Sequence, residues 1–267
     1  MSILQAIILG LIQGFTEFIP VSSSGHLVLA HHFFGINEVG LSFDVALHVG
    51  TLGALLIYFH KDIGQLAKGL FVKNSHTRLA WLLAMATIPA VVVGILLQSS
   101  AETAFRSPRL VAINLAIVAI LMLFAERYYH RHVNNPTKLE KVTRKQAIIM
   151  GLSQAAAIVP GVSRSGSTIT AGIFSGMDRV AATRFSFLLG IPITAGAIAK
   201  VFTESQAMQQ VKDDKAIFAV GIITAFVSGL FAIRFLLRFL SKHSLAVFAY
   251  YRLVLSAIVL IALALGA

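Results

Sequence analysis

The sequence contains no cysteine, a single tryptophan and few charges: only 11 acidic residues, with charged residues making up 12% of the 267-residue chain. Without cysteine the chain can form neither a disulfide nor a thiolate metal site. Soluble domains carry roughly a quarter charged residues, so the shortage of charge excludes an ordinary soluble protein. The N-terminus lacks the basic segment of a cleaved signal peptide and is predicted to stay in the mature protein.

Hydrophobic residues take the place of the missing charge and make up 57% of the chain. A helix of about 20 apolar residues crosses a hydrocarbon core of roughly 30 Å. Apolar runs near this length occupy residues 43–60, 79–98, 110–125, 185–202, 216–233 and 246–266. The sequence therefore predicts an all-α polytopic membrane protein with six full spans.

The net charge of +11 is distributed unevenly along the chain. If all six runs span, sixteen lysines and arginines fall on one face, counting Arg252 at the entry to the last span, and five fall on the other. An excess of Lys and Arg marks the cytoplasmic side of a membrane protein. The basicity thus predicts topology and contact with anionic lipid headgroups, with no nucleic acid as partner.

Two polar segments interrupt the apolar sequence and resemble each other. The first runs from Gln13 to His26 (QGFTEFIPVSSSGH), and the second runs from Gln154 to Thr168 (QAAAIVPGVSRSGST). Each passes from an apolar helix through Gln and Pro into a Ser-rich turn. Their apolar flanks are too short to be complete spans, which favours re-entrant hairpins over surface loops.

Each predicted hairpin is followed by three spans, which divides one membrane domain into two repeats. Repeat one is predicted to occupy residues 1–126 and repeat two residues 145–267, joined by a basic cytoplasmic loop, 127–144. Because three is odd, the second repeat would be inverted relative to the first, as in proteins whose broken helices meet near the midplane. The two hairpin tips would then enter from opposite faces and meet around one buried site.

The first tip carries the residues for a nucleophilic reaction. Ser22 and Ser23 lie four and three residues before His26, so either hydroxyl can share a helical face with the imidazole. Ser beside His is the minimum for an activated hydroxyl, and His26 as nucleophile or acid is the alternative. In the purely structural interpretation the serines cap a helix and His26 is a satisfied polar residue.

Glu17 is the acidic residue of the first tip and lies four residues after Gln13. A carboxylate inside a membrane needs a partner, and His26, Arg164 and a bound cation are the candidates. Glu17 could orient the imidazole, act as an acid–base group or ligate a divalent ion, and a structural ion pair is the alternative.

The second tip carries Arg164, whose planar fork of donors suits phosphate oxygens. Hydroxyls flank it on both sides, and a helix is predicted to start after Gly166, where free amides favour an anion. The predicted phosphate cradle is formed by Ser163, Ser165, Ser167 and Thr168.

Both motifs, with Phe185–Pro192 (FSFLLGIP), are similar to signature segments of the undecaprenyl-diphosphatase (bacitracin-resistance) family, and the resemblance covers essentially the whole chain. It implies an integral enzyme of the bacterial inner membrane that removes the terminal phosphate of undecaprenyl diphosphate. The product is the monophosphate carrier lipid used in cell-wall synthesis, and its recycling confers bacitracin resistance. The resemblance also implies a divalent cation, magnesium or calcium, and a site open to the outer face.

Together with the resemblance, the residues give Glu17, Ser23, His26 and Arg164 as catalytic candidates, with Glu17 also the candidate metal ligand. The substrate-binding candidates are Gln13, Ser22, Ser24, Ser163, Ser165 and Thr168. Some members of the family have Glu where this chain has Gln13, which removes a second carboxylate from a metal site. Asp44 is a speculative replacement for it.

The resulting hypothesis is hydrolysis of a phosphoanhydride at the membrane, with the polyprenyl tail in an apolar groove open to lipid. Arg164 would hold the diphosphate while Ser23 or His26 attacks the phosphorus. The alternative is a transporter or flippase of the carrier lipid, because inverted repeats with broken helices are also a transporter layout. The nucleophile, the metal, the preferred prenyl length and the oligomeric state, a homodimer included, stay open.

Overall fold

The computed structural model describes residues 1–35, 40–97, 104–201, 203 and 205–266. Residues 98 and 202, at the ends of two predicted spans, and residue 267, at the end of predicted repeat two, lie outside them. The helices are α1 Ile3–Phe18, α2 Ser23–Phe34, α3 Gly40–Tyr58, α4 His60–Phe71, α5 Thr77–Leu96, α6 Pro108–His132, α7 Arg144–Ala156, α8 Arg164–Phe174, α9 Arg179–Val201, α10 Ser205–Asp213, α11 Lys215–Leu240 and α12 Ala246–Ala264. The prediction of an all-helical chain is confirmed.

Five helices, α5, α6, α9, α11 and α12, are each long and apolar enough to cross a membrane. The pair α3 and α4 meets the same test only when taken together, across a bend of 81°. The described residues therefore contain the six spans predicted from the sequence only if this bent pair is counted as one span. Between the first two predicted spans the chain forms helix α4, whose apolar residues recur at helical spacing and whose Leu66 and Gly69 are buried.

Both polar motifs fold as pairs of short helices, of 16 and 12 residues for α1 and α2 and of 13 and 11 for α7 and α8. The first helix of each pair starts with a capping box, formed by Ser2 in α1 and by Thr143 in α7. Helix α1 ends at Phe18, directly before Ile19, because Pro20 disfavours helical conformation in the residue that precedes it. Helix α7 ends at Ala156, four residues before Pro160. The predicted break in each motif is therefore confirmed.

The two halves of the chain pack through exchanged partners. Helix α1 packs against α11, and α7 packs against α5, so one helix of each hairpin contacts a span from the other half of the chain. Helices α6 and α12 pair with each other, as do α3 and α9. The inversion of one repeat relative to the other stays a prediction.

Helix α6 continues to His132, so residues 127–132 of the predicted loop belong to this helix.

Small residues let α1 and α11 approach closely. A Cβ atom added at Gly14 would lie 2.6 Å from the carbonyl oxygen of Ala225 and 2.9 Å from the amide nitrogen of Gly229. A Cβ atom at Gly10 would lie 2.7 Å from the carbonyl oxygen of Gly221. Backbone atoms cannot yield cheaply, so glycine at positions 10 and 14 permits this close packing of the two helices.

Substitution Gly14→Ala is expected to lower the free energy of unfolding by about 1–3 kcal/mol, the usual cost of overpacking. The matched control is Gly196→Ala in α9, where an added Cβ meets no atom within 4 Å. Helix propensity alone makes that control neutral or stabilising by up to about 1 kcal/mol. Thermal unfolding of the two variants in detergent checks the difference, and equal midpoints would contradict the close approach of α1 and α11.

Candidate active site

Each hairpin tip turns at a serine that has a positive φ angle and caps the following helix. Ser22 and Ser163 each precede the second helix of a hairpin, with φ of 77° and 74°. The side chain of each accepts a hydrogen bond from the amide of the glycine three residues on, Gly25 or Gly166. A left-handed residue other than glycine costs about 1–3 kcal/mol and persists only where its surroundings enforce it. These caps give each tip one sharp, fixed turn.

The tips contact each other directly, as the sequence predicted. The amide of Gly161 donates to Ser22 Oγ at 3.2 Å, and Ser165 Oγ donates to the carbonyl of Ile19 at 3.5 Å. A Cβ atom at Gly25 would lie 3.3 Å from Gly161 Cα, so the two backbones approach closely at this point. Side chains from the two hairpins therefore share one buried volume.

Glu17 is the centre of this volume and only 8% exposed. Its Oε1 accepts from Arg164 Nη2 at 2.6 Å, and its Oε2 accepts from Ser23 Oγ at 2.5 Å and from Gln13 Nε2 at 3.1 Å. Of the partners proposed for this carboxylate, namely His26, Arg164 and a bound cation, the structure pairs it with Arg164. The ion pair joins tip one to tip two.

Helix α9 holds the guanidinium of Arg164 from the other side. Arg164 Nη1 donates to the carbonyl of Ser186 at 3.3 Å, and Ser186 Oγ lies 2.6 Å from Thr168 Oγ1. A Cβ atom at Gly190 would overlap the guanidinium, so only glycine leaves room for it there. The charge of Arg164 is thus fixed in position beside Glu17.

His26 does not form the predicted pair with Ser23. Its Nδ1 lies 2.7 Å from the carbonyl oxygen of Ser22, and its Nε2 lies 2.7 Å from the hydroxyl of Tyr251. Ser23 instead turns to Glu17, because a hydrogen bond to a carboxylate is stronger than one to a neutral imidazole. The hydrogen-bond acceptor for the Ser23 hydroxyl is therefore Glu17.

Most of the other predicted binding residues shape the tips. Ser163 Oγ lies 3.3 Å from Ser165 Oγ, and Ser24 Oγ lies 3.4 Å from Ser22 Oγ. Thr168 is fully buried and donates to the carbonyl of Arg164. The amide of Gly166 is occupied by its cap, so the predicted phosphate cradle is partly filled by the protein itself. Contact of these residues with substrate stays a prediction.

Asp44 does not replace the missing second carboxylate. Its Oδ1 lies 2.7 Å from His31 Nε2 and its Oδ2 lies 2.8 Å from Arg106 Nη2, away from Glu17. One turn later on the same face of α3, His48 Nε2 lies 3.6 Å from Glu17 Oε2. The group that α3 adds to the site is therefore an imidazole.

The position of Arg252 differs from the one expected from the sequence, where it falls among the cytoplasmic charges. The side chain is 0% exposed and lies between the two tips. It donates to backbone carbonyls of tip one, tip two and α6, at Pro20, Gly161, Val162, Asn114 and Leu115. The sequence does contain one sign of this role, because an arginine isolated within an apolar span usually faces the protein interior and belongs to a functional site.

The residues present do not form a divalent-cation site by themselves. Nowhere in the described ranges do three or more His, Cys, Asp or Glu side chains come together as metal ligands. Both carboxylate oxygens of Glu17 already accept from donors. The free acceptor nearby is the buried Gln13 Oε1, which has no hydrogen-bond partner. One paired carboxylate and one amide oxygen are fewer ligands than magnesium or calcium takes.

Fold and site together define a class: a polytopic helical membrane protein whose two broken hairpins enclose a hydroxyl, a carboxylate and a guanidinium. Residues 6–258 match the family model described as bacitracin resistance protein BacA. The chain belongs to this family.

Relatives in three bacteria are each named undecaprenyl-diphosphatase. The chain is 45% identical to those of Rubrobacter xylanophilus and Moorella thermoacetica, with 97% of both chains covered in each case. It is 43% identical to that of Gemmatimonas aurantiaca, with 99% of both chains covered. The similarity therefore extends over both hairpins and the spans that follow them.

Substitution Arg252→Lys is expected to destabilise the protein even though it keeps the charge. Hydrogen bonds to a charged group contribute about 1.5–3 kcal/mol each, and a lysine ammonium cannot reach three chain segments at once. The free energy of unfolding should fall by about 3 kcal/mol or more. The control is Arg234→Lys on the exposed face of α11. Thermal unfolding in detergent decides, and equal stability of both variants would show that Arg252 does not tie the tips together.

Proposed function

We propose that the protein hydrolyses undecaprenyl diphosphate to undecaprenyl phosphate and inorganic phosphate, which recycles the carrier lipid and confers bacitracin resistance. The observation that carries the proposal is the contact of 2.5 Å between Ser23 Oγ and Glu17 Oε2, beside the fixed guanidinium of Arg164. Nucleophile, base and phosphate-binding cation are the parts that phosphoryl transfer needs. The name shared by the relatives supports the substrate.

In the proposed reaction Ser23 is the nucleophile. As Ser23 Oγ forms a bond to the terminal phosphorus, its proton passes to Glu17 Oε2. The bond from that phosphorus to the bridging oxygen breaks, and undecaprenyl phosphate leaves with the bonding electrons. Water then attacks the phosphoserine, which releases inorganic phosphate and restores the hydroxyl.

Arg164 stabilises the charge that spreads over the phosphoryl oxygens in the transition state. Donors fixed in position before the reaction need no reorganisation, which makes them effective in a site that excludes water. Arg164 is fixed by Glu17 on one side and by the carbonyl of Ser186 on the other. His26, one turn along α2, is proposed as the acid–base group that takes a proton from the attacking water.

A divalent cation, magnesium or calcium, stays a proposal that is supported by the family resemblance alone. Magnesium in phosphoryl transfer is commonly held by one or two carboxylates together with phosphate oxygens of the substrate. Since Glu17 and Gln13 alone are too few ligands, the ion would have to bind together with the diphosphate. When bound, such an ion would neutralise charge on the phosphate oxygens.

The protein is a multi-pass membrane protein, and we place it in the bacterial inner membrane with the site open to the outer face. The excess of Lys and Arg on the loops of one face supports this orientation, and it holds without Arg252. The same loops would contact anionic lipid headgroups. The polyprenyl tail would lie among the lipid-facing helices, and a homodimer stays a prediction.

Substitution Ser23→Ala is expected to lower kcat for phosphate release from a prenyl diphosphate by about a thousandfold or more, because the nucleophile is lost. The control is Ser175→Ala at the end of α8, where the hydroxyl only donates to the carbonyl of Gly172. Its kcat should equal that of the unmodified protein. A Ser23→Ala variant with near-normal turnover would eliminate Ser23 as the nucleophile.

Substitutions Arg164→Ala and His26→Ala are each expected to lower phosphate release in detergent by about a thousandfold or more while the fold is kept. Loss of Arg164 removes the phosphate-binding charge and leaves Glu17 buried without its cation, so stability should also fall by about 3–5 kcal/mol. Turnover and circular dichroism are measured on the same samples. Near-normal turnover by either folded variant would contradict the assignment.

A further inference from the structure

We propose that Tyr251 is a positioning residue for His26, which it holds in one orientation. Neither the family resemblance nor the names of the relatives assign a role to this tyrosine. The inference rests on the proposed function, in which His26 is the acid–base group. It starts from the contact of 2.7 Å between Tyr251 and the imidazole.

The partners of the two ring nitrogens determine the tautomer. Nδ1 of His26 faces the backbone carbonyl of Ser22 at 2.7 Å, and a carbonyl oxygen only accepts hydrogen bonds. Nδ1 therefore carries the proton, and in the neutral ring Nε2 is an acceptor. The hydroxyl of Tyr251 must then be the donor of the second contact, which leaves Nε2 as the nitrogen that can receive a proton.

The rings of Tyr251 and His26 also fix the plane of the imidazole. They lie almost parallel, with an angle of 6° between their planes and 5.7 Å between their centres. A stacked ring and a directed hydrogen bond restrain both χ angles of the histidine. The imidazole is thus supported from α2 through Ser22 and from α12 through Tyr251.

The position of Tyr251 in the chain indicates that its hydroxyl has a specific use. It lies on an apolar helix with 46% of its surface exposed, next to Tyr250, which is 59% exposed. A hydroxyl that faces lipid without a hydrogen-bond partner costs free energy, and Tyr251 avoids this cost by donating to His26. The next residue, Arg252, binds both tips, so one turn of α12 holds the tips and the histidine together.

The test compares Tyr251→Phe with the neighbouring Tyr250→Phe, both alone and combined with His26→Ala. Loss of one oriented hydrogen bond should lower kcat of Tyr251→Phe about tenfold or more, with KM changed less than about twofold. Tyr250→Phe should behave as the unmodified protein. Because Tyr251 acts through His26, adding Tyr251→Phe to His26→Ala should reduce the residual kcat no further.

A second measurement does not depend on activity. Nitrogen-15 spectra of the imidazoles should show His26 as the Nδ1–H tautomer in the unmodified protein, its signals being identified by their loss in His26→Ala. In Tyr251→Phe the Nε2 signal should shift, because this nitrogen loses the hydroxyl that donates to it, while the carbonyl of Ser22 keeps the proton on Nδ1. In Tyr250→Phe neither signal should change. Unchanged His26 spectra in Tyr251→Phe would overturn the inference, as would an equal loss of kcat with and without His26. If the unmodified protein releases no phosphate, the proposed function fails, and the spectra still decide the role of Tyr251.

Discussion

The buried pair of Glu17 and Arg164 is the interaction on which the rest of the site depends. Each charge comes from a different hairpin, and each would be costly inside an apolar bundle without the other. The pair can form only if the two tips meet, so it couples the assembly of the fold to the assembly of the site. Glu17 Oε2 in turn accepts from Gln13 and from the hydroxyl of Ser23, which is the reactive group in the proposed mechanism.

The surrounding structure serves to bring these charges together and to keep them in place. Glycines on α1 permit close contact with α11, and the left-handed caps Ser22 and Ser163 turn each tip sharply. Arg252 then ties the tips through backbone carbonyls, which vary little with side-chain identity. The two tips share a backbone turn and differ in their side chains: tip one carries the proposed nucleophile and base, and tip two carries the cationic Arg164.

Much of this arrangement could be predicted from the sequence, because prolines and serines set the breaks and isolated charges mark the interior. Glu17 and Arg164 were identified as possible partners on that ground. The contact of Ser23 could not be predicted, since helical spacing allowed His26 and gave no sign that a carboxylate from another helix competes for the hydroxyl. Arg252 was misplaced because counting loop charges assigns every arginine near a span end to a face. Tyr251 was missed because an aromatic residue near a span end is usually an interfacial anchor.

The most direct test of the site is to trap the reaction with a prenyl diphosphate labelled in its terminal phosphate and to locate the label on the chain. The proton transfer from Ser23 to Glu17 predicts an acid-stable phosphoserine at Ser23, which forms more slowly in Glu17→Gln. An acid-labile label on His26, or release of phosphate with no label on the chain at any time, would contradict it.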